Sequence, residues 1–432
     1  MTHSIRFPFF LLLILLLTPV SHAVPFPKPT LPRDGTELGK HFRKFAALKQ
    51  AEIQQVAEAK GTDLPAQVDA FFAAIRSNQW SRAEAVYMAF KHSARRQGDN
   101  DASALSTGMH DVSGVYDLTD DWNSQLMKLY VDEALRAVPD GSIVFGGTSE
   151  GRFFITYGAQ VQQKGKVTVV TQNALADNTY VDYLRHAVGK RISVFPVEDS
   201  ASAFQEYVED VKAGRRDSKG SMSIEGGRVK ITGVHAVMDI NGILARRLVE
   251  MNQDAHDFYV EESYIIDWMY EYLTPHGLIM KLNKRPIETL PMATVKADKK
   301  YWQDLESKLN SIPDFSQTDA ARKAFSKCRC AIAGLYAHHD MKTEAEAAFR
   351  QALRLCPSSP EANFRFADLL KKSGEYGEAG AVLTEYMKSD PSSEQTTRVT
   401  EYLKKLRKLK DGEQDESTVP SEAAPSASPD VR

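Results

Sequence analysis

The sequence predicts an α/β unit with a mostly parallel sheet, set between two all-α regions. Three observations carry that expectation. Between residues 139 and 290, short apolar runs alternate with helix-length amphipathic segments, the pattern of a parallel sheet covered by helices. Upstream, residues 36–91 and 122–138 carry apolar positions at helical spacing. Downstream, Pro357 and Pro391 stand 34 residues apart, and similar small and large residues precede each of them.

The first residues read as a leader. Arg6 supplies a positive start, residues 7–17 are apolar apart from Pro8, and Ser21 and Ala23 are small residues at the −3 and −1 positions, so cleavage is expected after Ala23. The apolar run falls short of the roughly 20 residues that span a bilayer. No Cys lies at the cleavage site, and no later stretch is apolar for long enough to cross a membrane. The expected product is extracytoplasmic, periplasmic or secreted, without a transmembrane span. A proline-rich lead-in and a first helix fill 24–62, and 63–138 is helical with a polar loop over 94–112. Residues 139–290 form the α/β unit, 291–406 a helical domain with a capping helix, and 407–432 a tail of Ser, Pro, Ala and acid expected to be disordered. Hydrophobic content of 42% and charged content of 26% are ordinary for a soluble protein. A net charge of −3 offers no overall basic field, so nucleic acid is not an expected partner.

Within the α/β unit the turn signal Pro139, Asp140 and Gly141 precedes the first strand. Strands are expected at 142–145, 166–171, 191–195, 228–231, 258–262 and 277–283. Helices are expected at 153–163, 179–187, 201–212 and 264–272, with one more marked by Val237, Ile240, Leu244 and Leu248. Right-handed crossovers between such strands give a Rossmann-like sandwich.

The repeat is the most specific signal. Its first copy holds Ala333, Tyr336, Ala345, Phe349, Ala352 and Pro357; its second holds Ala367, Leu370, Ala379, Leu383, Tyr386 and Pro391. This period and these residue types resemble the tetratricopeptide repeat, or TPR, a stacked helix pair. The resemblance implies a concave face that holds a protein or peptide partner. Trp80, Ala83 and Tyr87 have the spacing of half of a further, degenerate unit. A last helix with Val399, Leu403 and Leu406 is expected to cap the stack, its basic run from Lys404 to Lys408 forming a solvated face.

Ligands of open parallel sheets bind beyond the carboxyl ends of the strands. Three loops fall there. Gly146, Gly147, Thr148, Ser149, Glu150, Gly151 and Arg152 form a glycine-rich turn. Such a turn can present backbone N–H groups to an anion, or it can be a structural strand-to-helix turn. Its spacing is neither the dinucleotide fingerprint nor a P-loop. Gln172 and Asn173 offer uncharged donors and acceptors in the second loop, where Asp177 is placed to cap a helix. Glu261, Glu262 and Ser263 form the third. Strand alternation sends the two carboxylates apart, so Glu262 with Asp267 is the better acid–base pair, and Ser263 reads as a helix start. The candidate ligand-binding set is Gly146, Gly147, Thr148, Ser149, Gly151, Arg152, Gln172, Asn173 and Glu262.

Several segments together resemble a family of poorly characterised bacterial proteins that join an α/β domain to C-terminal TPRs. They are residues 143–148, 171–177, 259–263, 267–270 and 275–279. More distantly they look like the soluble part that follows the membrane spans of glycosyltransferase-like membrane proteins. The likeness covers residues 64–391 and implies an accessory role, such as a subunit of a cell-envelope complex, with no reaction to carry over.

No nucleophile elbow, zinc-protease, D-x-D or calcium-loop motif occurs, and no cofactor or metal is expected. His338, His339 and Asp340 read as a solvated turn. The three cysteines, Cys328, Cys330 and Cys356, all lie in the first repeat. Cys330 and Cys356 are the candidate disulfide pair, closing a loop of about 27 residues; the alternative is three buried thiols. The expected function is therefore an extracytoplasmic scaffold or partner-binding protein whose α/β domain is structural or senses a ligand. The alternative is a ligand-binding, sugar-binding or glycosyl-transfer-related module at the strand ends.

Overall fold

The computed structural model describes residues 36–162, 166–216, 222–225, 228–231, 233–389 and 395–411. The segment expected to be a leader cleaved after Ala23, the lead-in up to residue 35, Pro391 and the tail beyond residue 411 lie outside the described residues.

Five helices come first: α1 (Glu37–Lys60), α2 (Ala66–Arg76), α3 (Trp80–Gln97), α4 (Asn100–Asp121) and α5 (Ser124–Ala134). Local chemistry sets their ends. Thr36 accepts a hydrogen bond from Gly39 N to cap α1, and Gly61, at φ 66°, closes it in the left-handed region. The polar loop expected at 94–112 is instead a sharp turn between two helices. Gly98, at φ 64°, ends α3, and Asp99 caps α4 by accepting from Ala102 N at 2.9 Å. Polar residues hid a buried face on α4 made of Leu105, Met109, Val112 and Tyr116.

The sheet has five strands: β1 (Ile143–Gly146), β2 (Thr168–Thr171), β5 (Phe258–Glu261), β6 (Leu273–His276) and β7 (Ile279–Leu282), in the order β2-β1-β5-β7-β6. β1 runs parallel to β2 and β5, while β7 is antiparallel to β5 and β6. The sheet is therefore mixed rather than mostly parallel. Residues 273–276 were not expected as a strand because Pro275 interrupts them, and an edge strand tolerates that. Gly277, at φ 67°, makes the hairpin turn. β3 (Met222–Glu225) and β4 (Arg228–Ile231) form a separate antiparallel hairpin.

The strand expected at 191–195 does not form. Ser193 N donates to Asn252 Oδ1 and Ser193 O accepts from Asn252 Nδ2, both at 2.8 Å, so a side-chain amide replaces a neighbouring strand. Helices α6 (Ile155–Val161), α7 (Asn178–Val188), α8 (Asp199–Lys212) and α9 (Val234–Asn252) match the expected segments, whereas 264–272 yields only a 3-10 helix, Asp267–Tyr272. α1, α4, α6 and α7 pack together, and α8 pairs with α9.

From residue 292 on, the described residues form helices: α10 (Met292–Asn310), α11 (Asp319–His338), α12 (Lys342–Leu355), α13 (Pro360–Lys372), α14 (Tyr376–Ser389) and α15 (Thr396–Lys410). α11 packs on α12 and α13 on α14. Ala333, Tyr336, Ala345, Phe349 and Ala352 are buried, and so are their counterparts Ala367, Leu370, Ala379, Leu383 and Tyr386. α15 runs on to Lys410, so the helix continues past the boundary expected at residue 406. The protein is thus mostly helical, with an α/β portion and helical flanks. No described helix is long and apolar enough to cross a membrane.

Candidate functional site

The carboxyl ends of β1 and β5 meet at Gly146 and Glu261, which are partners in register. Gly147 N continues the ladder by donating to Glu261 O at 2.7 Å. The glycine-rich turn then passes over two buried carboxylates. Thr148 donates from its hydroxyl to Glu261 Oε1 at 2.7 Å and from its backbone N to Oε2 at 3.3 Å. Gly151 N in turn donates to Thr148 Oγ1 at 2.9 Å. Tyr130 of α5 donates to Glu261 Oε1 at 2.9 Å, and the Cys328 thiol of α11 lies 3.8 Å from the same oxygen.

Glu262 points the other way, as alternation requires. Its Oε1 accepts from Ser263 N at 2.7 Å and Tyr264 N at 3.0 Å. Its Oε2 accepts from Asn173 Nδ2 at 3.3 Å and Gln172 Nε2 at 3.5 Å. Asn173 also donates to Gly147 O at 2.8 Å. Asn241 of α9 fixes this second loop, accepting from Ala176 N at 2.7 Å and donating to Asn173 O at 3.2 Å. Asp177 caps α7 through Thr179.

Gly147, Thr148, Gln172, Asn173 and Glu262 therefore converge. Gly151 belongs to the same construction through Glu261, and Gly146 packs its backbone against Gly151 O, 2.5 Å from where a Cβ would stand. Ser149 is exposed on the rim. Arg152 turns away to pair with Asp111 at 3.3 Å. Asp267 is exposed at the start of the 3-10 helix, and no contact joins it to Glu262. Ser263 starts no helix; its backbone serves the Glu262 carboxylate.

Burial and the neighbouring Glu262 push the Glu261 carboxyl up to about 7. Burial raises Glu262 as well, against the Tyr264 and Ser263 N–H groups that favour its charged form. The carboxylate of Glu150, also buried, makes no side-chain hydrogen bond among the described residues. Burial would lower the half-buried Lys327 of α11, but Glu150, Glu361, Glu261 and Glu262 outweigh it and hold the ammonium above its ordinary range. Tyr130 and Lys327 were missed by sequence reasoning because they lie far from the strand-end loops in the chain and form no local motif; Glu261 and Cys328 were noticed, but not their meeting.

α13 closes the site from outside. Arg365 Nη1 donates to Ser263 O at 2.7 Å and Nη2 to Tyr270 Oη at 3.3 Å. It does so by crossing Gly334 of α11, where a Cβ would stand 1.9 Å from Nη2. Tyr270 stacks on His338, their rings 5.0 Å apart. The candidate disulfide between Cys330 and Cys356 does not form; all three cysteines are free and buried, the alternative reading. Cys330 faces Arg365 and Cys356 lies 3.5 Å from Ser358 Oγ, so neither thiol is directed at the other. Among the described residues, no group of three or more His, Cys, Asp and Glu side chains could hold a metal ion.

No protein-family model matches this sequence, and no curated protein is similar to it at a significant level. What the arrangement can do chemically follows from its own contacts. The donors that would greet an anionic ligand between β1 and β5 are engaged by Glu261 and Glu262, and neither carboxylate is left open toward a substrate.

Proposed function

We propose that the chain is an extracytoplasmic scaffold whose α/β domain is a platform for a Rossmann-like core and whose C-terminal helix pairs are tetratricopeptide repeats. One observation carries this reading: the crevice between β1 and β5 is filled by the chain's own carboxylates, each saturated by donors from the loops around it. A crevice in this state is a joint rather than a ligand pocket. The burial of equivalent residues in both repeat copies supports the second half of the reading.

In this reading the faces of α11 and α13 that would hold a partner are taken by the chain's own residues, through Arg365 with Ser263 and His338 with Tyr270. The partner surface then lies at the far end of the stack. There Phe364, Arg398, Glu401, Tyr402 and Lys405 line an open groove of about 230 Å³. α15 bears Arg398, Lys404, Lys405, Arg407, Lys408 and Lys410 against a single acid, Glu401, which favours an acidic peptide. The test is photo-crosslinking of the full-length chain in its own cell envelope from a probe at Lys404. A captured protein that is lost with Lys405→Glu, kept or strengthened with Glu401→Lys, and kept with Asn173→Ala supports the scaffold. Capture indifferent to groove charge overturns it.

The exposure of Ser149 and Asn173 at the rim favours a second reading, a ligand- or sugar-binding module related to glycosyl transfer. Under that reading Thr148→Ala or Asn173→Ala abolishes a saturable sugar response at unchanged melting temperature.

A further inference from the structure

The mouth beside β2 differs from the filled crevice between β1 and β5. Three elements meet there around one aromatic spine. Tyr87 of α3 and His110 of α4 stack with centroids 6.0 Å apart, and Tyr87 Oη lies 2.8 Å from His110 Nδ1. His110 meets Phe153 edge-on at 5.3 Å. A cation sits at each end of the spine. Lys91 Nζ lies 5.6 Å from the Tyr87 ring and the Arg152 guanidinium 4.9 Å from the Phe153 ring. Arg95 stands one turn beyond Lys91 on α3, on the same side of the helix.

The charges at this mouth do not balance. Lys91 has neither a hydrogen bond nor an ion pair among the described residues, and Arg152 Nε is buried without a partner. Asp111 pairs with Arg152 through one oxygen, but its other oxygen is held by Lys49 at 2.9 Å. Asp177 is the one acid acting on Lys91. Burial holds His110 well below its ordinary range, helped by Arg152 and Lys91, so it adds no charge. Burial and the Arg95 and Arg152 cations bring Lys91 down to about 8. Cations gathered around buried aromatic rings are what an anion would find complementary.

We propose that Lys91, Arg95 and Arg152 form a binding site for a small anion, the phosphate or carboxylate group of a low-molecular-weight ligand. The buried rings of Tyr87 and Phe153 exclude water beneath it, and the negative charge of Asp177, which acts on Lys91, disfavours polyanions. The site is separate from the α15 groove, and its failure would leave the scaffold reading untouched.

The probes are inorganic phosphate, glycerol phosphate and succinate, each compared with chloride at matched ionic strength on the full chain. We expect a saturable rise in melting temperature with at least one oxyanion, absent in Lys91→Met combined with Arg95→Gln. A response to the two phosphates alone assigns a phosphate group, and a response to succinate alone assigns a carboxylate. A second readout does not depend on the variant folding. Bound anion slows acetylation of Lys91, mapped by mass spectrometry, at least threefold relative to the other lysines. No saturable shift with any of the three probes, or equal acetylation of Lys91 with and without them, overturns the proposal.

Discussion

Glu261 Oε2 stands 1.6 Å from where a Cβ on Gly151 would be, and Glu262 Oε2 stands in the same relation to Gly147 at 1.7 Å. The glycines of this turn make room for protein carboxylates. A backbone that must approach another group so closely has no alternative to glycine. The same residue type that signals a phosphate cradle in a sequence therefore signals, here, a clasp around the end of β5.

That clasp gives the first prediction. Gly151→Ala forces the turn off the Glu261 carboxylate and breaks its bonds to Thr148. We expect a loss of about 1–3 kcal/mol, the usual cost of overpacking a full interior. Ser149→Ala, on the exposed rim beside it, stays within about 0.5 kcal/mol. Urea unfolding of both variants measures this, and equal stabilities would show that the turn yields freely.

The second prediction concerns pH. Glu261 rises from its ordinary value of 4.5 to about 7, first by burial, then by Glu262 and Glu150, against the bonds from Thr148 and Tyr130. The folded protein therefore holds a proton that the unfolded chain releases above about pH 4.5. Stability is fully present below that pH and falls as pH rises toward 7, by on the order of 3 kcal/mol from this group. Lys327, whose ammonium is held above its ordinary range, stays charged throughout this window. Glu261→Gln keeps a neutral side chain and should flatten the decline between pH 5 and 8. A variant that declines as steeply as the parent would remove Glu261 from the explanation.

How much of this was legible in the sequence depends on the range of the signal. Apolar periodicity located α1 to α3, α5, β1, β2, β5 and the last six helices, because burial writes a local pattern. It failed at 191–195, where only the distant Asn252 decides whether Ser193 joins a sheet. It failed again at 94–112, where the Gly98 and Asp99 turn was submerged in a polar run. Alternation correctly separated Glu261 from Glu262, and the glycine-rich and Gln172–Asn173 loops were rightly placed at the strand ends. The purpose of the loop glycines was out of reach, since Glu261 lies over a hundred residues later and nothing local couples the two. Lys327 and Arg365 drew no reading of their own, because the period accounts for their helices and says nothing about what those helices cover.

Arg365 supplies the third prediction. It ties α13 to the end of β5 through Ser263 O and to the 3-10 helix through Tyr270, across Gly334. Arg365→Met leaves that carbonyl without its donor in a buried setting, at a cost of about 1–3 kcal/mol. Arg365→Lys does not rescue it, because a single ammonium cannot reproduce a two-pronged contact. Hydrogen exchange should rise in both variants over 263–272 and α13 together. A rise confined to α13 would mean that the helices and the α/β portion are not coupled through this residue.

The last prediction concerns the thiols. A disulfide between Cys330 and Cys356 was one of two readings for an oxidising compartment, the other being three buried thiols, and each sulfur is committed elsewhere. Burial and the Glu261 carboxylate push the Cys328 thiol well up. Burial pushes Cys330 up to about 11 against the opposing effect of Arg365, and burial also raises Cys356 despite its bond to Ser358. Alkylation needs the thiolate, so the native chain should resist iodoacetamide at pH 8 over an hour. Unfolding in urea without any reductant should then expose three reactive thiols, read as three added alkyl groups by mass spectrometry. One added group instead of three would mean that two cysteines are bridged, and a bridge found by peptide mapping at Cys330 would require α11 to move it away from Arg365. In that case the contact of Arg365 with Ser263 would have to be re-examined together with the prediction that rests on it.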